Sequence, residues 1–189
     1  MAIQEKYISA EDFLELAEQP EYQDRLLELV EGRPVEMSKP GRIHALTVTR
    51  LAVKIANHVD AMNLGEVPSG DAGFVLERNV DGRDTVRGLD VAYVSKSRVP
   101  DPPDFNLYEL GPDLAVEVVS PSNRTSDTHL KVMQLMDAGT RLVWLVYPES
   151  RTVTTHTADG AKTLREDDTL SGGDVLPGFK LRVGDIFPT

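Results

Sequence analysis

Cysteine is absent from the 189 residues, which excludes disulfides, thiolate metal sites and a cysteine nucleophile and gives no reason to expect an oxidising compartment. Long apolar runs are missing as well. None approaches the roughly 18 residues of a membrane span, and the first six residues, Met1-Ala-Ile-Gln-Glu-Lys, lack the apolar core of a signal peptide. A cytoplasmic protein with no membrane partner is the expectation. Aromatic residues make up only 6%, and 20 basic residues face 31 acidic ones, for a formal charge of −11. A chain so acidic does not hold a phosphate backbone by bulk electrostatics; nucleic-acid binding would need a local basic groove or a partner subunit. The remaining composition, 40% hydrophobic, suffices for the core of one ordinary globular domain over residues 1–189, with residues 1–24 as a helical appendage.

One stretch stands out. Leu114-Ala-Val-Glu-Val-Val119 is a short apolar run rich in β-branched residues, closed by Ser120-Pro121, and reads as a buried strand. Glu117 does not fit there, because an ionised carboxylate inside an apolar strand costs several kcal/mol unless a cation or donor faces it. A helix follows directly, with Asp127 and Lys131 at i and i+4 on one of its faces. Lys131 is the nearest cation in sequence, and a metal ion is the other solution.

Elsewhere, Ser9 caps a short helix over residues 9–18. Residues 25–37 read as a hairpin turning at Glu31-Gly32, with Glu28 and Glu36 at polar positions expected on a solvated face. A long helix over residues 43–62 carries an apolar stripe of Val48, Leu51, Ala52, Ile55, Val59 and Met62. His44 lies at its start on the core-facing side, as a buried or capping residue or as a site residue at the helix mouth. Arg50, Lys54 and His58 form a basic row on another face, ordinarily a solvated one. Residues 65–69 and 72–77 read as strands, and residues 86–95 as a central strand that contains Asp90. Residues 96–112, rich in proline and aspartate, form a loop. Gly139 ends the second long helix, residues 141–147 are another buried strand, and residues 151–156 an edge strand whose His156 should be exposed. Short strand-like pieces fill the remainder. The order describes an α/β (α+β) sandwich, a mixed sheet flanked by helices.

Two carboxylates in apolar strands meet if the strands are neighbours, and with water on an open side they suit a hard divalent cation, Mg²⁺ or Mn²⁺. A lysine beside them can orient or deprotonate water, or neutralise charge developing on a phosphate. The chemistry implied is phosphodiester hydrolysis.

Asp90, then Glu117-Val-Val119 in a following strand, then a helix carrying Lys131, resemble the PD-(D/E)XK (restriction endonuclease-like) nuclease superfamily. Within it the chain is similar to the Uma-two family. The likeness is carried by Leu29-Val-Glu-Gly with Val35-Glu-Met, His44, Leu89-Asp-Val-Ala-Tyr-Val, residues 113–122, Asp127 with Lys131, Trp144-Leu-Val and residues 170–179. It implies a restriction endonuclease-like fold with Asp90 and Glu117 as metal ligands and the Val118 carbonyl as a further one. It also implies that Lys131 takes the place of the lysine usually found two residues after the Glu, with His44 beside it. Position 119 is Val, so that strand lysine is absent here, and Leu89 stands where a proline commonly precedes the Asp. The implied function is Mg²⁺-dependent cleavage of DNA, with Arg50, Lys54 or Arg124 touching phosphates and a homodimer cutting both strands. The rival is a catalytically silent binding or assembly module in which Glu117 and Lys131 form a structural ion pair.

Overall fold

The computed structural model describes residues 7–99 and 107–188; part of the loop expected over 96–112 lies outside them. The chain opens with α1 (Ala10–Ala17), whose Ser9 hydroxyl accepts from the Asp12 N–H while the Asp12 side chain accepts from the Ser9 N–H. Such a capping box contributes about 1 kcal/mol. Strands β1 (Leu26–Val30) and β2 (Arg33–Met37) follow, joined by Glu31 (φ 49°) and Gly32 (φ 76°). Two successive positive φ values are the signature of the tight turn that matches strand twist. Then come α2 (Arg42–Met62), β3 (Gly65–Glu66), β4 (Ser69–Glu77), β5 (Thr85–Ser95), β6 (Leu114–Val118), α3 (Thr125–Asp137), β7 (Leu142–Tyr147), β8 (Thr152–Thr157), β9 (Gly160–Leu164), β10 (Thr169–Ser171) and β11 (Lys180–Arg182).

The large sheet runs β2-β1-β5-β6-β7-β8-β9, with β3 and β4 also paired to β5, and β10-β11 form a separate hairpin. Among the named strands of the described residues, only β6 and β7 pair in parallel, and α3 makes the crossover between them. On one face, Leu51, Ile55 and Val59 of α2 pack with Val91, Tyr93, Val116 and Trp144 and with the C-terminal residues Leu170 to Phe187. On the other, Val132 and Leu135 of α3 cover Phe74, Leu89, Ala92, Ala115 and Val143. Ala10 and Phe13 tie α1 to Leu29, Val75 and Val86.

The pairing around β5 positions the site. One edge of β5 runs beside β4 from Thr85 to Val91. The opposite edge is shared: β1 takes Val86 and β6 takes Val91 to Tyr93. Between these two partners the sheet forks, and residues 87–90 face the gap. The alternation of β5 also breaks there, since Leu89 and Ala92 belong to the α3 side but Val91 and Tyr93 to the α2 side. Opposite the break, β4 carries a bulge between Ser69 and Ala72, a device that re-aims side chains beside active sites.

Several expectations are corrected. Met62 is 58% exposed, because Asn63 ends α2 in a left-handed conformation and Leu64 packs on the core in its place. Thr47 is buried on the helix face instead, its hydroxyl donating to the Ile43 carbonyl at 2.8 Å. Strand β8 is not an edge, since β9, unrecognised in the sequence, pairs along it. His156 consequently lies half-buried, and its Nε2 is a buried atom without a hydrogen-bond partner.

Candidate active site

The fork gathers the acids and bases that the sequence separates. Pairing of Val91 with Val116 in antiparallel register brings Asp90 alongside Glu117 and Val118, and Asp90 Oδ2 accepts the Val118 N–H at 2.7 Å. That N–H lies where the ladder with β5 stops, so Asp90 satisfies a donor that pairing would otherwise have used. The same oxygen is 3.3 Å from His44 Nε2 in the first turn of α2. The bond His44 donates to Asp90 is the largest influence on the imidazole and raises its pKa; burial opposes this, and the nearby carboxylates reinforce it. His44 Nδ1 is buried without a partner.

Lys131 enters from α3. Its Nζ donates to Glu117 Oε2 at 2.8 Å, to Glu28 Oε1 at 3.0 Å and to the Gly88 carbonyl at 2.7 Å. All three ammonium donors are thus used, one of them on a carbonyl that the forked edge of β5 leaves free. Burial works against the charge on Lys131, but Glu117 and Glu28 outweigh it and raise its pKa. Lys131 is therefore a fixed cation at neutral pH. Glu117 differs. Burial, assisted by the like charges of Asp90 and Glu28, pushes it up to about 8 in spite of Lys131, and its Oε1 is buried with no partner.

Glu28 corrects the sequence reading most sharply. Expected on a solvated face, it is 3% exposed, gripped by Arg87 Nη1 at 2.7 Å as well as by Lys131. Arg87 in turn donates twice to Gln134 Oε1 of α3, at 2.9 and 2.6 Å. Burial alone would raise the Glu28 pKa, but its two cations hold it below the ordinary value. Asp71 was also missed. It sits in the β4 bulge with φ 61°, lines the same cleft, and has its pKa raised by burial and by Asp90. Neither signal was readable locally: Glu28 occupies an ordinary polar position in a hairpin, and the Asp71 bulge depends on pairing with β5. The Gly70-Asp71 pair was the one available hint of irregular backbone.

A cleft of about 1210 Å³ contains Glu28, His44, Asp71, Asp90, Glu117, Val118 and Lys131. Its other cations are Arg25, Lys39, Arg42 and Arg151. Arg50, Lys54 and Arg124 do not line it. Arg50 instead donates to the Phe187 carbonyl at 2.6 Å, and His58 bonds the Pro177 carbonyl at 2.9 Å, so two of the three residues in the basic row clamp the C-terminal segment and do not form a solvated face. Arg124 is exposed at the start of α3.

Among the described residues no three His, Asp or Glu side chains form a ready-made metal cage. The fit to a metal rests on a sparser donor set. Mg²⁺ keeps several waters and is ordinarily held by one or two carboxylates, and Asp90, the unpartnered Glu117 Oε1 and the main chain at Val118 supply donors of that kind.

A forked mixed sheet between helices, with two strand acids and a helical lysine at the fork, places the molecule in the restriction endonuclease-like class. The chain belongs to the Uma2 family, described as "Putative restriction endonuclease", which it matches over residues 10–184. Among solved structures, it is similar to a crystal structure described as a putative nuclease belonging to DUF820 from Anabaena variabilis ATCC 29413. The TM-score is 0.80 at 18% identity, covering 95% of this chain and 97% of that one, a likeness that establishes the fold. No curated protein matches the chain. Among the described residues no helix is long and apolar enough to cross a membrane.

Proposed function

We propose that this protein is a Mg²⁺- or Mn²⁺-dependent nuclease that hydrolyses phosphodiester bonds of DNA. The observation that carries the reading is Glu117: a buried carboxylate with one oxygen on Lys131 and the other on nothing. An unpaired buried acceptor costs about 1–3 kcal/mol, more when charged, and a divalent cation is the ligand that would relieve it. Asp90, Glu117 and the Val118 carbonyl would hold that ion, which when bound supplies Lewis acidity and lowers the pKa of water.

The chain's own residues do the rest. Val118 N–H and His44 fix one oxygen of Asp90 and leave the other free to turn to a ligand. Lys131, kept protonated by Glu117 and Glu28, acts as a fixed positive charge beside the scissile phosphate; it is not the base. Glu28, itself bonded by Arg87, holds the lysine in place together with Glu117.

A structural ion-pair module is the second reading, favoured by the complete use of the Lys131 donors within the protein. Nicking of supercoiled plasmid with Mg²⁺ or Mn²⁺ distinguishes the two. The nuclease reading expects nicking by the wild type that is lost in Glu117→Gln and in Lys131→Met; no metal-dependent nicking by the wild type would leave only the module.

A further inference from the structure

The cleft around the acids is not a uniformly polar groove. Its lining also includes apolar side chains: Leu26 and Met37 on the same face of the β1-β2 hairpin as Glu28, Leu27 and Leu107 packed with Leu29 and Val86, Val48 of α2, and the half-buried Tyr22. A base-paired duplex presents phosphates and sugars outward and keeps its bases stacked inside, so it would leave these side chains without a partner. An unpaired nucleotide has an apolar, π-faced base to bury there.

The charges on the cleft agree. Of its cations, Lys131 is committed to Glu28 and Glu117, Arg25 to Glu36, and Arg151 to Glu166. Lys39 and Arg42 line the cleft and form no ion pair among the described residues. Both lie at the entry to α2, within five residues of His44. Two free cations in a protein of charge −11 can neutralise a phosphate or two. They cannot supply the 6–10 or so phosphate contacts by which duplex-binding proteins gain affinity, so affinity has to come from burial of bases.

We infer that the site takes a single-stranded or locally unpaired nucleic acid, with the base beside the scissile phosphate buried against Leu26 and Met37, which share the Glu28 face of the β1-β2 hairpin, and the phosphates held by Lys39 and Arg42. The inference rests on the nuclease reading for its cleavage step but not for its binding step, so the two can fail separately. Single strands of DNA or RNA share the required chemistry; stacking does not discriminate between them.

The test uses the full chain and fluorescein-labelled 30-nucleotide probes: single-stranded DNA, the same sequence as RNA, its full DNA duplex, and that duplex with a central unpaired bubble. Binding is read by anisotropy in Ca²⁺ and cleavage in Mg²⁺. Single-stranded and bubble probes are expected to bind at least about tenfold more tightly than the duplex, the effect of one stacked base. Met37→Glu should erase that margin, and Lys39→Ala/Arg42→Ala should weaken all probes alike and lessen the salt dependence. Met37 lies at the half-buried end of an outer strand, and a melting curve verifies that the variant is folded. Tyr22→Ala, outside the sheet, provides a second variant expected to lower single-strand affinity. Duplex binding equal to or tighter than single-strand binding, or an unchanged preference in both Met37→Glu and Tyr22→Ala, overturns the inference and leaves the nuclease reading standing. Selective single-strand binding without metal-dependent cleavage supports the inference and overturns the nuclease reading. Binding to none of the probes overturns the inference.

Discussion

Two acids stand near opposite ends of strand β6, and they are treated in opposite ways. Asp113, just before its first residue, is 2% exposed and fully engaged. Its Oδ2 accepts the Ser95 N–H at 2.8 Å and lies 3.2 Å from Arg98, and its Oδ1 accepts from Arg141 at 3.1 Å. Burial alone would raise its pKa, but the Ser95 bond and the two arginines bring it below the ordinary value. Glu117, four residues on, has one lysine, two neighbouring carboxylates and an idle oxygen, and its pKa is pushed up to about 8. The protein has the means to satisfy a buried acid completely and uses them at one end of the strand only. Asp113 is a staple between β5, β6 and the start of β7; Glu117 keeps one buried oxygen without a hydrogen-bond partner.

The sharpest way to break this contrast is to neutralise each acid. Glu117→Gln should lower cleavage by about 10³-fold, the scale of losing one electrostatic group from a preorganised site, with little change in the melting temperature of metal-free protein. A variant as active as wild type would remove Glu117 from the chemistry. Glu28→Ala should act on both quantities. It leaves Arg87, whose side chain is only 6% exposed, without its carboxylate, and breaking such a buried pair costs about 3–5 kcal/mol. Denaturant unfolding measures the loss, and a loss below about 1 kcal/mol would show that the network is not tightly held.

Asp113→Asn should destabilise by about 2 kcal/mol, since the Ser95 N–H keeps an acceptor while two partly exposed arginines lose theirs. The pH dependence gives the sign. A carboxylate whose folded pKa lies below its unfolded value of about 3.9 stabilises the fold above that value, and the contribution is lost as pH falls through the folded pKa. Wild type should therefore lose stability below about pH 4 more steeply than Asp113→Asn. Parallel slopes would mean that Asp113 is not the staple described. At the small end, Arg25→Ala removes an exposed ion pair with Glu36 and should change stability by less than about 1 kcal/mol.

How much of this could be read beforehand divides along the same line. Asp90, Glu117 and Lys131 stood out because each is chemically at odds with, or adjacent to, a strongly apolar segment, and the short β6-α3-β7 crossover is a local unit. The hairpin at Glu31-Gly32 and the helix start at Ser9 were legible for the same reason, being set by turn and cap chemistry within a few residues. Glu28 was not, because its burial is decided by Arg87, 59 residues away, and by the helix that covers both. The basic row on α2 had the right spacing for a solvated stripe, yet Arg50 and His58 are taken up by carbonyls of the C-terminal segment, 137 and 119 residues distant. Strand β9 escaped notice because its first four residues are exposed and only Leu164 at its end is buried, which leaves no alternating burial pattern. Periodicity reports what an element buries, and these residues are decided by what comes to lie beside them.

Calorimetric titration of Mn²⁺ into wild type, Glu117→Gln and Asp113→Asn tests the difference between the two acids most directly. Saturable binding by the wild type, kept in Asp113→Asn and abolished in Glu117→Gln, is the predicted result. Absence of binding to the wild type, or binding that survives in Glu117→Gln, would contradict it.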